Sequence, residues 1–294
     1  MSTETMELLT HGGQRIEIGN RRDDYYLVDY DGFANTSLTP ISRRGAFQIG
    51  ETLLNVAPNG KTLIIECIVS GATRTEYLER RNALARACYI EPVVNGETIQ
   101  PVRLLYRREG LQPVQLFVVP EGAPSFDERG PNAGRCVLEL FAFDPYWDLT
   151  RDTVLRMGPD TVGLEYENEY ELEYPSFREQ EISNEGDVKV FPTFRLFGAF
   201  TTGRIMNLTY GETLEVTGRV ESNEYVEIVT GYGKKSITLV NRGTRQRQDI
   251  ISRMNPLLSE FWSLRRGTQT IRFEADTSLG SSMRVTWRER KAGV

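Results

Sequence analysis

The chain has 294 residues, 39% of them hydrophobic and 26% charged, and carries a formal net charge of −6 at pH 7. That is the composition of an ordinary globular protein of about two domains, and it is too acidic for general affinity to nucleic acid, which needs concentrated Lys and Arg. The longest purely apolar stretches run about four residues, as in Leu116-Phe117-Val118-Val119, whereas a membrane span needs roughly 20.

The opening Met1 to Thr10 carries Glu4 and Glu7 and lacks the basic and apolar regions of a secretion signal, so synthesis and folding in a cytoplasm are expected. His11, beside Gly12 and Gly13, is the one histidine. A Ser-His-Asp or Cys-His mechanism would have to use it, and a multi-His metal site is impossible. Tyr25-Tyr26-Leu27-Val28 leads to Asp31-Gly32, a hairpin signal with a second extended run after Phe33. Asp29 and Asp31 lack the later ligands and closing Glu of a calcium loop, so a plain turn is expected there.

Lys61 to Ser70 reads as a strong strand, with Leu63, Ile64, Ile65, Ile68 and Val69 supplying β-branched and aliphatic bulk. A helix follows. Thr73 and Glu76 form a Thr-x-x-Glu capping box, and Tyr77, Leu78, Leu84, Ala85 and Cys88 share one face while Glu79, Arg80 and Arg86 point elsewhere. Strands are expected at Val102 to Tyr106, Val114 to Val119 and Arg135 to Phe143. Between the last two, Pro120 to Gly134 reads as a long Pro, Gly and charge-rich loop. Asp144-Pro145-Tyr146-Trp147 closes the first half, because Pro145 stops a ladder. Cys67, Cys88 and Cys136 are odd in number and far apart, which excludes a complete disulfide framework and leaves buried side chains as the expectation.

Leu164 to Tyr174 alternates almost perfectly: Glu165, Glu167, Glu169, Glu171 and Glu173 face one way, Leu164, Tyr166, Tyr170, Leu172 and Tyr174 the other. Such a row of like charges must be solvated or face a basic partner. Further strands are legible at Val188 to Leu196, Ile205 to Tyr210, Thr213 to Val220, Tyr225 to Val229 and Ser236 to Val240, and Asp249 to Met254 suits one helical turn. Two alternating strands close the chain, with Ile271, Phe273 and Ala275 inward on one and Met283, Val285 and Trp287 inward on the next, across Gly280-Ser281. Strands at this spacing indicate a β-sandwich. Gly231-Tyr232-Gly233-Lys234-Lys235-Ser236 is only superficially like a phosphate-binding loop: Ile228 stands where its first Gly belongs, and Lys235 where Ser or Thr belongs. A hairpin turn fits better. The basic runs Arg242 to Arg247 and Arg288-Glu289-Arg290-Lys291 are short and read as solvated faces.

From Asn184 onward the sequence resembles the C-terminal domain of the distal tail proteins of long-tailed phages. The resemblance lies in Asn184-Glu185-Gly186-Asp187-Val188, then Phe191-Pro192-Thr193-Phe194-Arg195-Leu196-Phe197-Gly198, Asn207, Gly211-Glu212-Thr213-Leu214 and Glu224-Tyr225-Val226-Glu227-Ile228. Ser259-Glu260-Phe261-Trp262-Ser263-Leu264-Arg265-Arg266-Gly267-Thr268-Gln269-Thr270-Ile271 then matches the family's S-x-F-x-x-L-x-x-G-x-N-x-I run, with Gln269 in place of Asn. Phe143-Asp144-Pro145-Tyr146-Trp147 is similar to the family's aromatic signature at the end of its N-terminal domain.

The resemblance implies a mostly β fold: a ring-forming β-sandwich with one α-helix over residues 1–148, then a galectin-like β-sandwich over 149–294, of which 149–183 hold a linker and the acidic strand. It implies a structural component of the virion's tail tip, made in the host cytoplasm. Six copies would form a ring joining the tail tube protein to the tail-tip protein and the receptor-binding components, with DNA passing through unbound. No enzyme activity is expected, nor any catalytic residue, metal ligand or organic cofactor. The competing reading is a glycan-binding adhesin module, in which Trp147, Trp262 or Trp287 would stack on a sugar; alternation and apolar neighbours place Trp287 and Trp262 in the core. A glycosidase working through paired carboxylates carries no specific signal, since 41 acidic residues guarantee some pair.

Overall fold

The computed structural model describes the chain apart from residues 1–3, 11, 21–23, 35, 91–98, 159–175 and 277–279. It is mostly β and divides into two compact units, Met1–Thr150 with Lys291–Val294, and Arg151–Arg290. The alternating Glu165 to Glu173 run and His11 lie outside the described residues.

In the first unit the strands are β1 (Glu4–Leu9), β2 (Arg15–Ile18), β3 (Tyr25–Asp31), β4 (Leu38–Arg43), β5 (Thr52–Pro58) and β6 (Lys61–Ser70). After helix α1 (Arg74–Ala87) come β7 (Val102–Arg108), β8 (Val114–Pro120), β9 (Ser125–Gly130), β10 (Ala133–Ala142) and β11 (Trp147–Leu149). One continuous sheet runs β2-β1-β7-β8-β10-β6-β3. It curls until its two ends meet, where Gly19 N–H donates to Tyr25 O at 3.0 Å and Leu27 N–H to Gly19 O at 2.9 Å. The period of two decides what fills the space inside: β6 buries Lys61, Leu63, Ile65, Cys67 and Val69, and β10 buries Gly134, Cys136, Leu138, Leu140 and Ala142. Each large aliphatic side chain so buried contributes about 1.5–3 kcal/mol.

Helix α1 starts where its cap predicts. Thr73 Oγ1 accepts the Glu76 N–H at 3.2 Å, while Glu76 reaches one residue further back than a standard capping box, accepting the Ala72 N–H at 2.7 Å. Its buried side chains are Tyr77, Leu84 and Ala87, with Cys88 at the cap, so Ala87 rather than Ala85 completes the inner face. The helix lies so close to β10 that a Cβ on Gly134 would sit 2.5 Å from the Tyr77 hydroxyl.

Two sequence expectations fail here. Asp31-Gly32 is not a hairpin turn: β3 pairs with β6, and β4 pairs only with β5. Gly32, at φ +83°, instead carries the chain across the backbone of Thr62, whose carbonyl oxygen would be 2.2 Å from any Cβ. The expected loop from Pro120 to Gly134 contains β9, which lies on the edge of β10. Its sequence, Ser-Phe-Asp-Glu-Arg-Gly, has the charge of a protected edge strand and so hides its extended geometry.

The second unit consists of β12 (Thr153–Met157), β13 (Ser176–Asn184), β14 (Thr193–Phe197), β15 (Phe200–Asn207), β16 (Glu212–Val220), β17 (Glu224–Val229), β18 (Ser236–Asn241), β19 (Arg247–Asp249), a 3-10 turn at Ile251–Arg253, β20 (Gly267–Ala275) and β21 (Ser282–Trp287). A six-stranded sheet, β12-β21-β14-β17-β18-β19, and a four-stranded one, β13-β20-β15-β16, enclose a single core containing Phe194, Ile205, Leu214, Val226, Ile271 and Val285. This is the expected sandwich, with one correction. The strands carrying Ile271 and Val285 do not form a hairpin, because β20 and β21 belong to opposite sheets. The last strand, β22 (Arg290–Lys291), leads back to the first unit, where Thr36 Oγ1 donates to Ala292 O at 3.0 Å.

Candidate assembly surfaces

Catalytic chemistry has little to stand on among the described residues. No group of three or more His, Cys, Asp or Glu side chains is placed to hold a metal ion. Cys67, Cys88 and Cys136 are free and buried, with Cys67 and Cys136 directly opposite on β6 and β10. Its hydrogen bond with Cys67, together with burial, pushes the Cys136 thiol far up, and burial raises Cys88 to about 12, so neither supplies a thiolate near neutral pH.

The most perturbed base is Lys61. Its Nζ donates to Phe33 O at 3.2 Å, sits 5.2 Å from the centre of the Trp147 ring, and is lowered by burial to about 8. A lowered lysine is what a nucleophilic amine needs. Here, however, Trp147 Nε1 donates to the same carbonyl at 3.0 Å; Tyr106 meets Tyr30 and Phe33 edge to face, and Trp147 packs tilted against Phe33. Lys61 is 6% exposed, and this is a structural cluster. All three tryptophans are buried, Trp147 at 0%, Trp262 at 3% and Trp287 at 5%, so none of the rings that the sugar-binding reading needs is available to stack. A shallow cleft of about 510 Å³ on the second unit is lined in part by Phe191, Tyr232, Lys235 and Phe261.

The family-like motifs of the sequence are staples. Asn184 is buried and donates to Val188 O at 2.9 Å and Leu264 O at 3.2 Å, while its Oδ1 accepts the Gly186 N–H at 3.0 Å. Gln269, the departure from the family pattern, accepts from Asn207 Nδ2 at 3.0 Å and donates to Arg265 O at 2.6 Å, closing the Arg265 to Gln269 turn. Two arginines of the helix are held inside the unit: Arg74 and Arg81 bind Glu128 of β9 at 3.1 and 2.8 Å.

Two surfaces stand apart. The first is the β4–β5 hairpin, which among the described residues pairs with no other strand and whose strand residues are exposed except for Ala57. It displays Leu38 (58% exposed), Ile41 (45%), Leu53 and Leu54 (61% each) and Val56 (39%), and its tip bears fully exposed Phe47 and Ile49. The tip is ordered locally, with Gly45 N–H donating to Gln48 Oε1 at 2.9 Å and Gln48 Nε2 to Thr52 Oγ1 at 2.8 Å. An isolated two-stranded hairpin is at best marginally stable in water, and apolar patches of this kind mark contact sites. At its root, Phe141 and Phe143 stack edge to face with Phe143 74% exposed.

The second surface is the outer face of the six-stranded sheet. Strand register sets Arg156, Arg284 and Arg195 side by side on β12, β21 and β14. Glu227 follows on β17; burial alone would raise its carboxyl, but Arg195 Nε at 2.8 Å and Arg247 hold it below the usual range. Arg242 lies over the Phe197 ring at 4.9 Å and Arg284 at 5.7 Å.

No family model matches the chain, and no curated protein matches it in sequence. Among solved structures, the chain resembles the SPP1 Dit protein (gp 19.1), described as a paradigm of the hub adsorption apparatus in phages that infect Gram-positive bacteria. The match has a TM-score of 0.65 and 13% identity over 97% of this chain and 98% of that one. A chain of the phage P2 baseplate, in its activated conformation with calcium, matches at a TM-score of 0.54 and 8% identity over the whole of both chains. The fold is shared with these two proteins from end to end.

Proposed function

We propose that the chain is a distal tail protein, a structural component of a phage tail tip that assembles as a homo-hexameric ring between the tail tube and the tail-tip proteins. The fold it shares with a hub protein and a baseplate chain supports this reading, as does the independent resemblance of its sequence motifs. The observation that carries it is the β4–β5 hairpin. Its apolar side chains expose roughly 800 Å² between them, about what one partner gives to a standard protein interface. Among the described residues, the two strands that carry them pair only with each other. A heterologous contact of this kind, arm of one copy onto the body of the next, closes into a ring when its rotation fits. The first unit thus supplies the ring, and the second is carried with it.

The site side of the reading is negative. No residue is assigned a catalytic, metal-binding or cofactor-binding role, and Lys61 and the cysteines are accounted for by packing. Tail tube protein, tail-tip protein and receptor-binding components are the proposed neighbours, and DNA passes through the ring without specific contacts.

Light scattering on the purified full chain, alone and mixed with its tail partners, tests the ring. About six subunits are expected for the native sequence, and the Phe47→Ser/Ile49→Ser double variant should fall to a monomer that keeps the native circular-dichroism spectrum, since both side chains are fully exposed. A native chain that stays monomeric in both settings contradicts the ring, and a double variant that still forms six-subunit rings contradicts the arm.

A further inference from the structure

The two outer faces of the second unit treat their arginines differently. On the four-stranded sheet, register places Arg204 between Glu274 and Glu215, with Arg204 Nε donating to Glu215 at 2.8 Å and its Nη1 3.7 Å from Glu274. Arg272 likewise lies opposite Glu179, bonded at 2.7 Å. Both guanidiniums have a carboxylate across the ladder.

On the six-stranded sheet the row reads Arg156, Arg284, Arg195, Glu227, Thr238, Asp249. Cation faces cation across two successive strand pairs, an arrangement that costs stability in isolation. Arg195 is relieved by Glu227. Among the described residues, no carboxylate pairs with Arg156, Arg284 or Arg242, and Arg284 Nε is shut off from solvent without a hydrogen-bond partner. The three line a concavity of about 340 Å³ with Phe197, Met157 and Met283, and among the described residues no acidic side chain lines it.

We propose that this ledge docks an acidic segment of a partner protein, one in which carboxylates alternate with apolar or aromatic side chains. Guanidiniums stacked on Phe197 are held ready for bidentate contact with carboxylates, and the half-buried Phe197 ring offers apolar surface beside them. A nucleic-acid backbone suits the face less well. Its phosphates need a continuing track of cations, but in the ladder row arginines occupy only three strands, about 10 Å, before it turns acidic at Glu227 and Asp249. The inference concerns the second unit alone and does not depend on the ring.

Fluorescence anisotropy with the full chain and a labelled peptide of alternating Glu and Tyr, about eleven residues long, is the test. Expected are binding that weakens at least ~tenfold in Arg156→Gln/Arg284→Gln and falls steeply between about 50 and 500 mM salt, with no change in Arg272→Gln. The double variant should melt at the same temperature as the native chain or higher, because like-charge repulsion is removed. Peptide binding untouched by the double variant overturns the proposal, as does a DNA oligonucleotide bound more tightly than the peptide, or a melting temperature lowered by several degrees. A chain with Glu165, Glu167, Glu169, Glu171 and Glu173 changed to Gln is the last arm. Binding in that chain alone would show the ledge taken by the protein's own acidic run and overturn an external partner.

Discussion

Replacing Lys61 with Met tests whether the aromatic cluster under the first sheet is a packing device or a reactive centre. The buried ammonium is lowered from an ordinary 10.5 to about 8. The unfolded chain therefore holds a proton between pH 8 and 10.5 that the folded chain has released, so this residue's contribution to stability rises with pH through that window and its penalty is complete below pH 8. The full penalty is about 3 kcal/mol, of which about 2 kcal/mol is recovered between pH 7 and pH 9.5. Met keeps the length and apolar stem and sets a thioether against Trp147, while Phe33 O keeps its second donor, Trp147 Nε1. The lost Lys61 hydrogen bond takes back about 1 kcal/mol. Lys61→Met should thus exceed the native chain by about 2 kcal/mol at pH 7 and roughly match it at pH 9.5. Urea unfolding at both pH values measures this. Comparing the two proteins at each pH matters, because the raised thiols of Cys88 and Cys136 destabilise both equally as the solution turns alkaline. A variant less stable than the native chain by the same amount at both pH values would refute the reasoning.

Asn184→Ala removes two buried donors and one acceptor from the loop staple and should cost about 2–3 kcal/mol, read as a lower urea midpoint with unchanged slope. Thr73→Ala should cost about 1 kcal/mol through the lost cap of α1, visible in thermal melts followed by circular dichroism. The carboxyl of Glu227 is held low, so it contributes stability above its unfolded value near pH 4.3 that is lost as the pH falls through its lower folded one. Glu227→Gln should therefore narrow the gap to the native chain on acidification from pH 6 to pH 3; a constant gap would contradict it.

Where local chemistry and tertiary structure agree, the sequence was informative. The strand at Lys61–Ser70 follows directly from its β-branched and aliphatic run, and the start of α1 from Thr73 and Glu76. The inward triads Ile271, Phe273, Ala275 and Met283, Val285, Trp287 are also buried as read. What was missed depends on partners far along the chain. Strand β9 looks like a loop because an edge strand carries charge, and its Glu128 holds helix residues 47 and 54 positions away. Gly32 reads as a hairpin turn because the carbonyl of Thr62, which makes glycine necessary, is 30 residues on. The β4–β5 arm left little mark: Thr52-Leu53-Leu54-Asn55-Val56 does not alternate, since both its faces are exposed. The arginine ledge is a product of register, so no single stretch of sequence contains it.

Negative-stain imaging of the purified full chain, with its tail partners added, addresses the ring itself. Closed rings of six subunits are expected, and a map of the assembled ring that resolves side chains should show an acidic or neutral channel wall with the Arg242 to Arg247 and Arg288 to Lys291 runs turned away from it. A field of single particles the size of one chain, in the presence of those partners, would contradict the ring.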